Sequence, residues 1–208
     1  MVKHPLRFRQ IHLDFHTSPF IPGIGEAFDK SQWQDRLQNA HVDSITCFSS
    51  CHHGWSYHPT EVGQIHPHLN VDLLRLQMDA CKEIDINVPV YLTAGVNNVA
   101  AHEHPEWRTI REDGRYVGWQ ASPVKPGFHQ LCFNSPYLDH LCAMIRETAT
   151  LFPEADGIFL DIINQPGCCC RWCLDDMRSA GVNPADADER AVFAKQVSLE
   201  YYRATAEA

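Results

Sequence analysis

The chain has 208 residues, of which 44% are hydrophobic and 21% charged. These proportions fit one globular domain and exclude disorder, collagen-like sequence and a coiled coil as descriptions of the whole. Its 17 lysines and arginines against 26 aspartates and glutamates give a formal charge of −9, which argues against non-specific binding to nucleic acid. The chain has no apolar run long enough to span a membrane, and its first residues contain no apolar signal core. We therefore expect a cytoplasmic protein with no membrane partner.

Cysteine and histidine are both frequent, with nine cysteines and thirteen histidines. In a protein expected in the cytoplasm, so many cysteines indicate core thiols or metal ligands and not a disulfide framework. The sequence stops within a helical pattern, between Tyr201 and Ala208, without a Gly, Asn or Pro stop signal. We therefore expect a truncated sequence.

Four segments have the pattern of β-strands. Residues 9–16 alternate apolar side chains at positions 11, 13 and 15 with polar ones at 12, 14 and 16, the period of two of a strand. Residues 44–50 are rich in β-forming side chains, and residues 88–93 form a short apolar run that fits a buried strand. Residues 157–162 are the fourth predicted strand.

Four helices are predicted between and after these strands, because apolar residues recur at helical spacing. They end near residues 40, 84 and 149 and at the end of the chain. Ser31 and Asn70 are the predicted caps of the first two helices, Ser135 with Pro136 at the first helical position opens the third, and Asp186 or Asp188 begins the last.

Strands that alternate with helices predict an α/β fold with a parallel sheet. Four such units are half of an eight-stranded (β/α)8 TIM barrel, which typically takes about 250 residues. We therefore expect residues 1–208 to supply about the first four βα units of such a barrel. A polar insertion, at about residues 97–131, separates the third strand from its helix. In these folds the site is built by the loops after the C-terminal strand ends.

Asp161 is the first candidate catalytic residue. It closes the apolar strand 157–162, where a buried carboxylate is costly without a purpose or a partner. At the C-terminal end of a barrel strand it would face the catalytic mouth. The alternative is an aspartate that caps the strand or forms a salt bridge.

A second candidate is the segment Cys51-His52-His53-Gly54-Trp55, directly after the second strand. Paired imidazoles can hydrogen-bond sugar hydroxyls, while an indole packs on the apolar face of a pyranose. His16, at the end of the first strand, is expected to join them. The alternative is a set of structural histidines and a packing tryptophan. Weaker candidates follow in the same loop: Tyr57, His58, Glu61 and His66.

Histidines of the first strand are also possible ligands of a catalytic metal. His12 and His16 are four residues apart, which corresponds to roughly 13 Å along an extended strand. At that distance the two side chains cannot bind one ion, which argues against an amidohydrolase-type metal site.

The most specific metal signal is the Cys-rich loop 167–173, which contains Cys168, Cys170 and Cys173 in a C-x-C-x-x-C array. Closely spaced thiolates suit tetrahedral zinc, which takes four nitrogen or sulfur ligands in a closed structural site. Cys132 is the predicted fourth ligand and Cys169 a bystander. The alternative is a cluster of reduced thiols. Four thiolates would leave no open position, so we expect a structural and not a catalytic zinc.

Together these motifs resemble a known group of enzymes. The segment from Ile11 to His16 resembles the first strand of α-L-fucosidase-type glycoside hydrolases, and His52-His53 resembles their paired-histidine loop, with Gly54-Trp55 where that family usually has Asp-Gly-Phe. The strand that ends at Asp161 resembles the one that carries their nucleophile.

The cysteines are instead similar to the zinc-binding cysteines of β-galactosidases that carry a trimerisation domain. Those enzymes usually have an Asn-Glu pair at the fourth strand, where this chain has Asp161, which points away from β-galactosidase activity. The combination, over about residues 10–181, looks most like a hypothetical glycosyl hydrolase group whose members often carry that trimerisation domain.

This resemblance implies a retaining, α-L-fucosidase-like glycosidase with a carbohydrate substrate, no organic cofactor and a homo-oligomer, such as a trimer, in the full-length protein. Asp161 would be the nucleophile. A second carboxyl group about 5–5.5 Å away would act as acid and base; in that family it lies on a later strand, and Glu61 is the one weak candidate within this chain. The substrate-binding residues would be His16, His52, His53 and Trp55.

Two alternatives remain open, namely a metal-dependent amidohydrolase-type barrel and a non-catalytic carbohydrate-binding domain with structural zinc. The first predicts a metal held by histidine and activity lost to chelators. The second predicts sugar affinity without turnover. Since half a barrel leaves strand edges unpaired, we also expect the 208-residue chain made alone to be inactive and prone to aggregation.

Overall fold

The computed structural model describes residues 6–122, 125 and 127–208. The chain forms two compact units. The first unit comprises Met1–Cys51, Trp55–Leu92 and Glu147–Asp161, and the second comprises His52–Gly54, Thr93–Arg146 and Ile162–Ala208.

Eight strands and six α-helices are present among the described residues. The strands are β1 Gln10–His12, β2 Ser44–Phe48, β3 Trp55–Ser56, β4 Gln64–Ile65, β5 Pro89–Thr93, β6 Gly118–Trp119, β7 Phe128–His129 and β8 Gly157–Asp161. The helices are α1 Lys30–Asn39, α2 Leu73–Lys82, α3 Asn98–Glu103, α4 Tyr137–Leu151, α5 Arg171–Ser179 and α6 Ala187–Glu207, with a 3-10 helix at Pro105–Trp107.

The main sheet has four strands in the order β1-β2-β5-β8. Strand β1 pairs with β2 in parallel, with Ile11 opposite Ile45, and β2 pairs with β5 in parallel, with Phe48 opposite Tyr91. Helices follow each of these strands along the chain, which confirms the predicted α/β fold with a parallel sheet.

The two central strands form the core of the first unit because they are covered on both faces. Every residue of β2 is buried, as is β5 from Val90 onward. Helix α2 contributes Leu74 and Met78, which are also buried. Pro89 takes the first position of β5, where its missing N–H costs least.

Two of the predicted helix caps are wrong by two residues. Helix α1 is capped by Asp29, whose carboxylate accepts the Gln32 N–H, and α2 by Asp72, which accepts the Arg75 N–H. A carboxylate is also favoured here by the positive end of the helix dipole. Asp186 caps α6, as predicted.

Strand β1 is shorter than the predicted segment 9–16, since it ends at His12 and residues 13–18 belong to no strand or helix. The alternation of apolar and polar side chains beyond His12 therefore does not reflect a strand. In this segment the backbone bonds to a side chain and not to a neighbouring strand. The Tyr57 hydroxyl donates to the Phe15 carbonyl and accepts the Thr17 N–H.

The insertion at about residues 97–131 is folded and lies within the second unit. It contains α3, the 3-10 helix and an antiparallel pair of strands, β6 and β7. Asn98 holds this pair, because its side-chain amide donates to the Gly127 carbonyl and its oxygen accepts the His129 N–H. In the described part of the chain, no helix combines the length and apolarity needed to cross a membrane.

Candidate functional site

Strand ends bring polar side chains together in the first unit. His12 ends β1 and Asp161 ends β8, and Tyr91, the middle residue of β5, lies between them. His16 returns to the same place from the segment after β1. We call these four residues, with Asp14, the strand-end cluster.

Aromatic rings form the base of the strand-end cluster. Phe48 and Tyr91 stack with their centroids 3.9 Å apart and an angle of 16° between planes. The His12 ring lies 5.4 Å from Phe48 and 5.6 Å from Tyr91. The His16 ring lies 5.5 Å and 5.8 Å from the same two rings. Both imidazoles therefore rest on one rigid apolar surface.

Asp14 lies between the two imidazoles. Its Oδ1 is 2.8 Å from His16 Nε2 and 3.7 Å from His12 Nε2. The 13 Å separation expected for an extended strand is therefore wrong, because β1 ends at His12 and the chain turns back. A hydrogen bond from His16 Nε2–H to this carboxylate leaves Nδ1 as the acceptor nitrogen of the neutral ring.

The environment of His16 favours its neutral form. Burial lowers the pKa of the imidazole, although Asp14 and Asp161 partly oppose this effect through their negative charge. Asp161 is thus close enough to act on the imidazole electrostatically. A neutral ring at pH 7 can both donate and accept hydrogen bonds.

Asp161 is oriented by a phenol. The Tyr91 hydroxyl donates to Asp161 Oδ2 over 2.8 Å. Burial, followed by this hydrogen bond, raises the pKa of Tyr91, so the hydroxyl remains a protonated donor at neutral pH. This hydrogen bond fixes the orientation of the carboxylate at the end of its strand.

The backbone is strained directly after Asp161. Ile162 has φ +57°, a left-handed conformation that is unfavourable for a β-branched residue. Its carbonyl oxygen lies 1.9 Å from where a Cβ would be on Gly95. Position 95 therefore requires glycine, because any side chain would collide with this carbonyl. Strain of this kind costs about 1–3 kcal/mol and is often found at functional sites.

The paired histidines belong to the second unit. His52 is buried, and its Nδ1 lies 2.9 Å from the Thr93 hydroxyl. Since that hydroxyl donates its hydrogen to the Val96 carbonyl, it accepts from His52 Nδ1–H, which makes Nε2 the acceptor of the neutral ring. The rings of His52 and His53 lie 5.1 Å and 5.2 Å from Phe128, both edge-on.

The backbone of the paired histidines is fixed to the start of α3. The carbonyls of His52 and His53 accept the N–H groups of Asn98 and Val99, which are unpaired donors at the first turn of a helix. Gly54 has φ +92°, and a Cβ there would lie 2.2 Å from Asn97 Oδ1. The glycine in this motif is therefore required by its conformation and by the closeness of α3.

Trp55 lies in the first unit and is half-buried. It packs against a hydrophobic cluster that includes Tyr57 and Leu73, and its indole meets the His66 ring edge-on at 6.2 Å. Part of its surface is therefore used in packing within the unit.

The weaker candidates of this loop have structural partners. His58 is buried, with Nε2 2.9 Å from the Ser49 hydroxyl and Nδ1 2.7 Å from the Pro59 carbonyl. His66 is also buried and contacts the Ser18 carbonyl through Nε2 and the His68 N–H through Nδ1. Both histidines thus have both ring nitrogens engaged. Glu61 is exposed, and its N–H donates to Glu147 of α4 over 2.6 Å.

The first unit thus contains His16, Trp55 and Asp161, and the second contains His52, His53 and the four predicted metal ligands. Sequence reasoning did not identify Tyr91, Phe48 or Phe128 as site residues. Tyr91 and Phe48 lie within apolar strands, where an aromatic side chain indicates only a core position. Asp14 could have been recognised, since it lies between His12 and His16 on the polar side of the pattern.

The four predicted cysteine ligands come together in the second unit. Cys132, Cys168, Cys170 and Cys173 are buried, and their sulfur atoms all lie within 4.8 Å of one another. Among the described residues, this is the one group of three or more histidines, cysteines or acidic residues with such spacing. Cys169 is not part of it.

This group could hold a metal ion. The sulfurs of Cys132 and Cys173 are 3.4 Å apart, near the roughly 3.8 Å edge of a tetrahedron with metal–sulfur bonds of about 2.3 Å. Backbone N–H groups of Ile110 and Cys170 point at the Cys168 sulfur, at 3.5 and 3.3 Å. Hydrogen bonds from the Cys132, Cys170 and Cys173 thiols lower the pKa of Cys168, which favours the thiolate that metals bind.

The fold and the sequence together place the chain in a glycosyl hydrolase family. The chain belongs to the family described as hypothetical glycosyl hydrolase 6, whose model matches residues 29–162. This confirms the glycosyl hydrolase group expected from the sequence motifs. No curated protein sequence matches the chain.

Solved structures agree with this assignment. The chain is similar to alpha-L-fucosidase isoenzyme 2 from Paenibacillus thiaminolyticus, with 40% identity, a TM-score of 0.92 and coverage of 97% of this chain and 30% of that one. The chain therefore spans about 30% of the length of that enzyme.

Two further likenesses are weaker. An alpha-L-fucosidase from Bacteroides thetaiotaomicron has 16% identity and a TM-score of 0.47, over 66% of this chain and 27% of that one. A beta-galactosidase from Marinomonas ef1 has 18% identity and a TM-score of 0.49, over 76% and 22%. At these values neither enzyme bears on the function of this chain.

Proposed function

We propose that the protein is a retaining, α-L-fucosidase-type glycosidase in which Asp161 is the nucleophile. The observation that carries this proposal is the pairing of Asp161 with the Tyr91 hydroxyl beside the imidazole of His16. The carboxylate lies at the C-terminal end of its strand, the usual position of catalytic groups in α/β barrels. The 40% identity to a fucosidase supports the sugar class.

In the proposed reaction, the Asp161 carboxylate attacks the anomeric carbon, the bond to the leaving oxygen breaks, and a glycosyl ester forms. The Tyr91 hydroxyl donates to the Asp161 carboxylate and so holds it in a fixed orientation before substrate binds. A second carboxyl group, about 5–5.5 Å away, protonates the leaving oxygen and then activates water. We assign this group to a part of the protein outside the present chain.

His16 binds a sugar hydroxyl in this proposal. Asp14 accepts its Nε2–H, which fixes the orientation of the imidazole in the site. The type of residue and the resemblance to fucosidases also support His52 and His53 as hydroxyl ligands, and Trp55 as a surface for the apolar face of the sugar.

We further propose that the four-stranded sheet is the first half of a (β/α)8 barrel, supported by its parallel strand-helix units. The four-cysteine group is proposed to bind a structural zinc ion, because buried thiolates in a closed tetrahedral set suit that metal. Nine free cysteines favour a reducing compartment such as the cytoplasm. A homo-oligomer remains a proposal from the family resemblance.

The test of the catalytic assignment is Asp161→Asn in the protein that contains this chain. We expect hydrolysis of an aryl α-L-fucoside to fall by on the order of 10⁴-fold, while the affinity for L-fucose changes little. Asp79→Asn, at an exposed position of α2, is the matched control and should leave the rate unchanged. Wild-type rates in Asp161→Asn would remove Asp161 from the mechanism.

Two further outcomes separate the alternatives. Sugar binding without turnover of any aryl glycoside by the wild-type protein would favour a non-catalytic carbohydrate-binding domain. Activity that is lost to a chelator, with the metal bound by histidine, would favour the amidohydrolase alternative. For a retaining enzyme, NMR of the first product should show the same anomer as the substrate.

A further inference from the structure

Tyr57 makes an unusual set of contacts for a buried tyrosine. Its hydroxyl donates to the Phe15 carbonyl over 3.1 Å and accepts the Thr17 N–H over 3.1 Å. The Thr17 hydroxyl lies 2.7 Å from the same oxygen, and it must be the donor, because the single phenolic hydrogen is already used. One hydrogen and two lone pairs are the bonding capacity of a phenol.

Tyr57 is itself held rigidly. Its side chain is fully buried, and its ring lies 4.8 Å from that of Phe15. Its N–H donates to the Ser49 carbonyl directly after β2, and its carbonyl accepts the N–H of Leu74 in the first turn of α2. The hydroxyl is therefore a fixed point of the first unit.

His16 lies between the two residues that Tyr57 binds. It belongs to a segment outside any strand or helix, so regular secondary structure does not determine where its imidazole points. With Phe15 and Thr17 both attached to one hydroxyl, the backbone of His16 has little freedom. Its ring is then placed against Phe48 and Tyr91 with Nε2 on Asp14.

We infer that Tyr57 is a positioning residue, whose hydroxyl holds the segment that carries His16 and so sets this imidazole in the candidate sugar site. The role of His16 in sugar binding rests on the proposed function, whereas the positioning of His16 by Tyr57 rests on the contacts described above. Tyr57 does not contact the substrate in this account. Its importance follows from the small tolerance of such sites, about 0.5 Å in position.

The test compares Tyr57→Phe with Tyr137→Phe in the protein that contains this chain. Tyr137 is the matched control, since it is also fully buried and its hydroxyl also donates to a backbone carbonyl, that of Ala94, but in the second unit. The readout is the NMR titration of His16, whose signal is assigned by its absence in His16→Gln. The titratable groups facing this ring are Asp14, Asp161, His12 and Tyr91.

In Tyr57→Phe we expect the His16 pKa to rise towards its ordinary value, because release of the segment rehydrates the ring. We also expect the dissociation constant for L-fucose to increase about 10-fold, as for loss of one good hydrogen bond. Tyr137→Phe should leave both quantities at wild-type values, even if it lowers stability equally. Wild-type titration and affinity in a folded Tyr57→Phe would overturn the inference.

A second pair of variants keeps the inference testable if Tyr57→Phe does not fold. Thr17→Val removes the hydroxyl that donates to Tyr57, and should shift the His16 titration in the same direction by a smaller amount. Thr17→Ser keeps the hydroxyl and should restore the wild-type curve. A wild-type titration in Thr17→Val would count against the inference. If the wild-type protein neither binds nor cleaves fucosides, the proposed function fails, while the titration still decides the role of Tyr57.

Discussion

In the proposed function, the contact between Tyr91 and Asp161 gives a catalytic role to a tyrosine that otherwise resembles a core aromatic residue. The phenol has its ring in the stack with Phe48 and its hydroxyl on the carboxylate. Because the stack with Phe48 fixes the Tyr91 ring, it also fixes the direction in which the Tyr91 hydroxyl donates. The orientation of the proposed nucleophile is thus determined by packing within the sheet.

Removal of this donor should slow the chemical step. Tyr91→Phe keeps the ring stack but loses the hydrogen bond to a charged group, typically about 1.5–3 kcal/mol. We therefore expect kcat to fall about 10- to 150-fold in steady-state hydrolysis of an aryl α-L-fucoside, with KM little changed. Tyr202→Phe, at an exposed position of α6, serves as the control. An unchanged kcat in Tyr91→Phe would show that the contact is only structural.

The loop of the paired histidines depends on its glycine. Gly54 and Gly114 both have φ in the left-handed region, but a Cβ on Gly54 would collide with α3, whereas nothing lies within 4 Å of one on Gly114. Gly114→Ala should therefore cost only the backbone strain, about 1 kcal/mol. Gly54→Ala should lower the free energy of unfolding by clearly more, as measured in urea. Equal losses in the two variants would mean that the loop moves away from α3 without cost.

The four-cysteine group is expected to hold the loop of residues 167–173 to the insertion through one metal ion. The wild-type protein should contain one zinc ion per chain by elemental analysis, and Cys173→Ser should contain none. If loss of the metal in Cys173→Ser lowers the free energy of unfolding by about 3 kcal/mol, the midpoint of thermal unfolding should fall by roughly 6–12 °C. Cys169→Ser alters a neighbouring thiol outside the group and should keep both the metal and the midpoint. Metal-free wild-type protein of full stability would favour a plain cluster of thiols.

Local patterns predicted the elements better than the contacts between them. The apolar runs at 88–93 and 157–162 correctly located β5, which is buried from Val90 onward, and β8, which is only partly buried, because a short apolar run is typical of a strand in a parallel sheet. The cysteine spacing singled out Cys168, Cys170 and Cys173, and the position of Cys132 at the end of the insertion added the fourth member of the group that the structure brings together. The predicted strand at 9–16 was too long, since the backbone at Phe15 and Thr17 bonds to the Tyr57 hydroxyl, some forty residues later, and no local pattern records such a contact.

Helices α3 and α5 were not predicted for related reasons. Helix α3 is short, and its start depends on carbonyls from His52 and His53. Helix α5 begins at Arg171, within the Cys-rich loop, where the cysteines were considered as ligands and not as helix formers. Similarly, Asp14 joined the site only because the chain turns after His12.

Several histidines make the stability of the whole chain sensitive to acid. Burial is the main cause of a lowered pKa at His16, His58, His66, His129 and His140. Since the unfolded chain then binds more protons than the folded one, the stability from these groups is complete above pH 6.5, the unfolded value, and is lost as the pH falls from there towards the lower folded values.

We therefore expect the free energy of unfolding to be smaller at pH 5.5 than at pH 7.5, by up to about 1.4 kcal/mol per pH unit for each proton taken up. Urea titrations at the two pH values provide the measurement. Equal or greater stability at pH 5.5 would contradict the burial of these rings.

The role of Asp161 is tested most directly by trapping the glycosyl ester with a 2-fluoro-fucosyl fluoride, whose fluorine slows the second step. The account predicts that intact-protein mass spectrometry shows one fluoro-fucosyl group per chain, and that peptide mapping places it on Asp161. Asp161→Asn should remain unlabelled. A label on another carboxylate, or hydrolysis of the wild-type substrate with inversion and no label at all, would contradict the central claim.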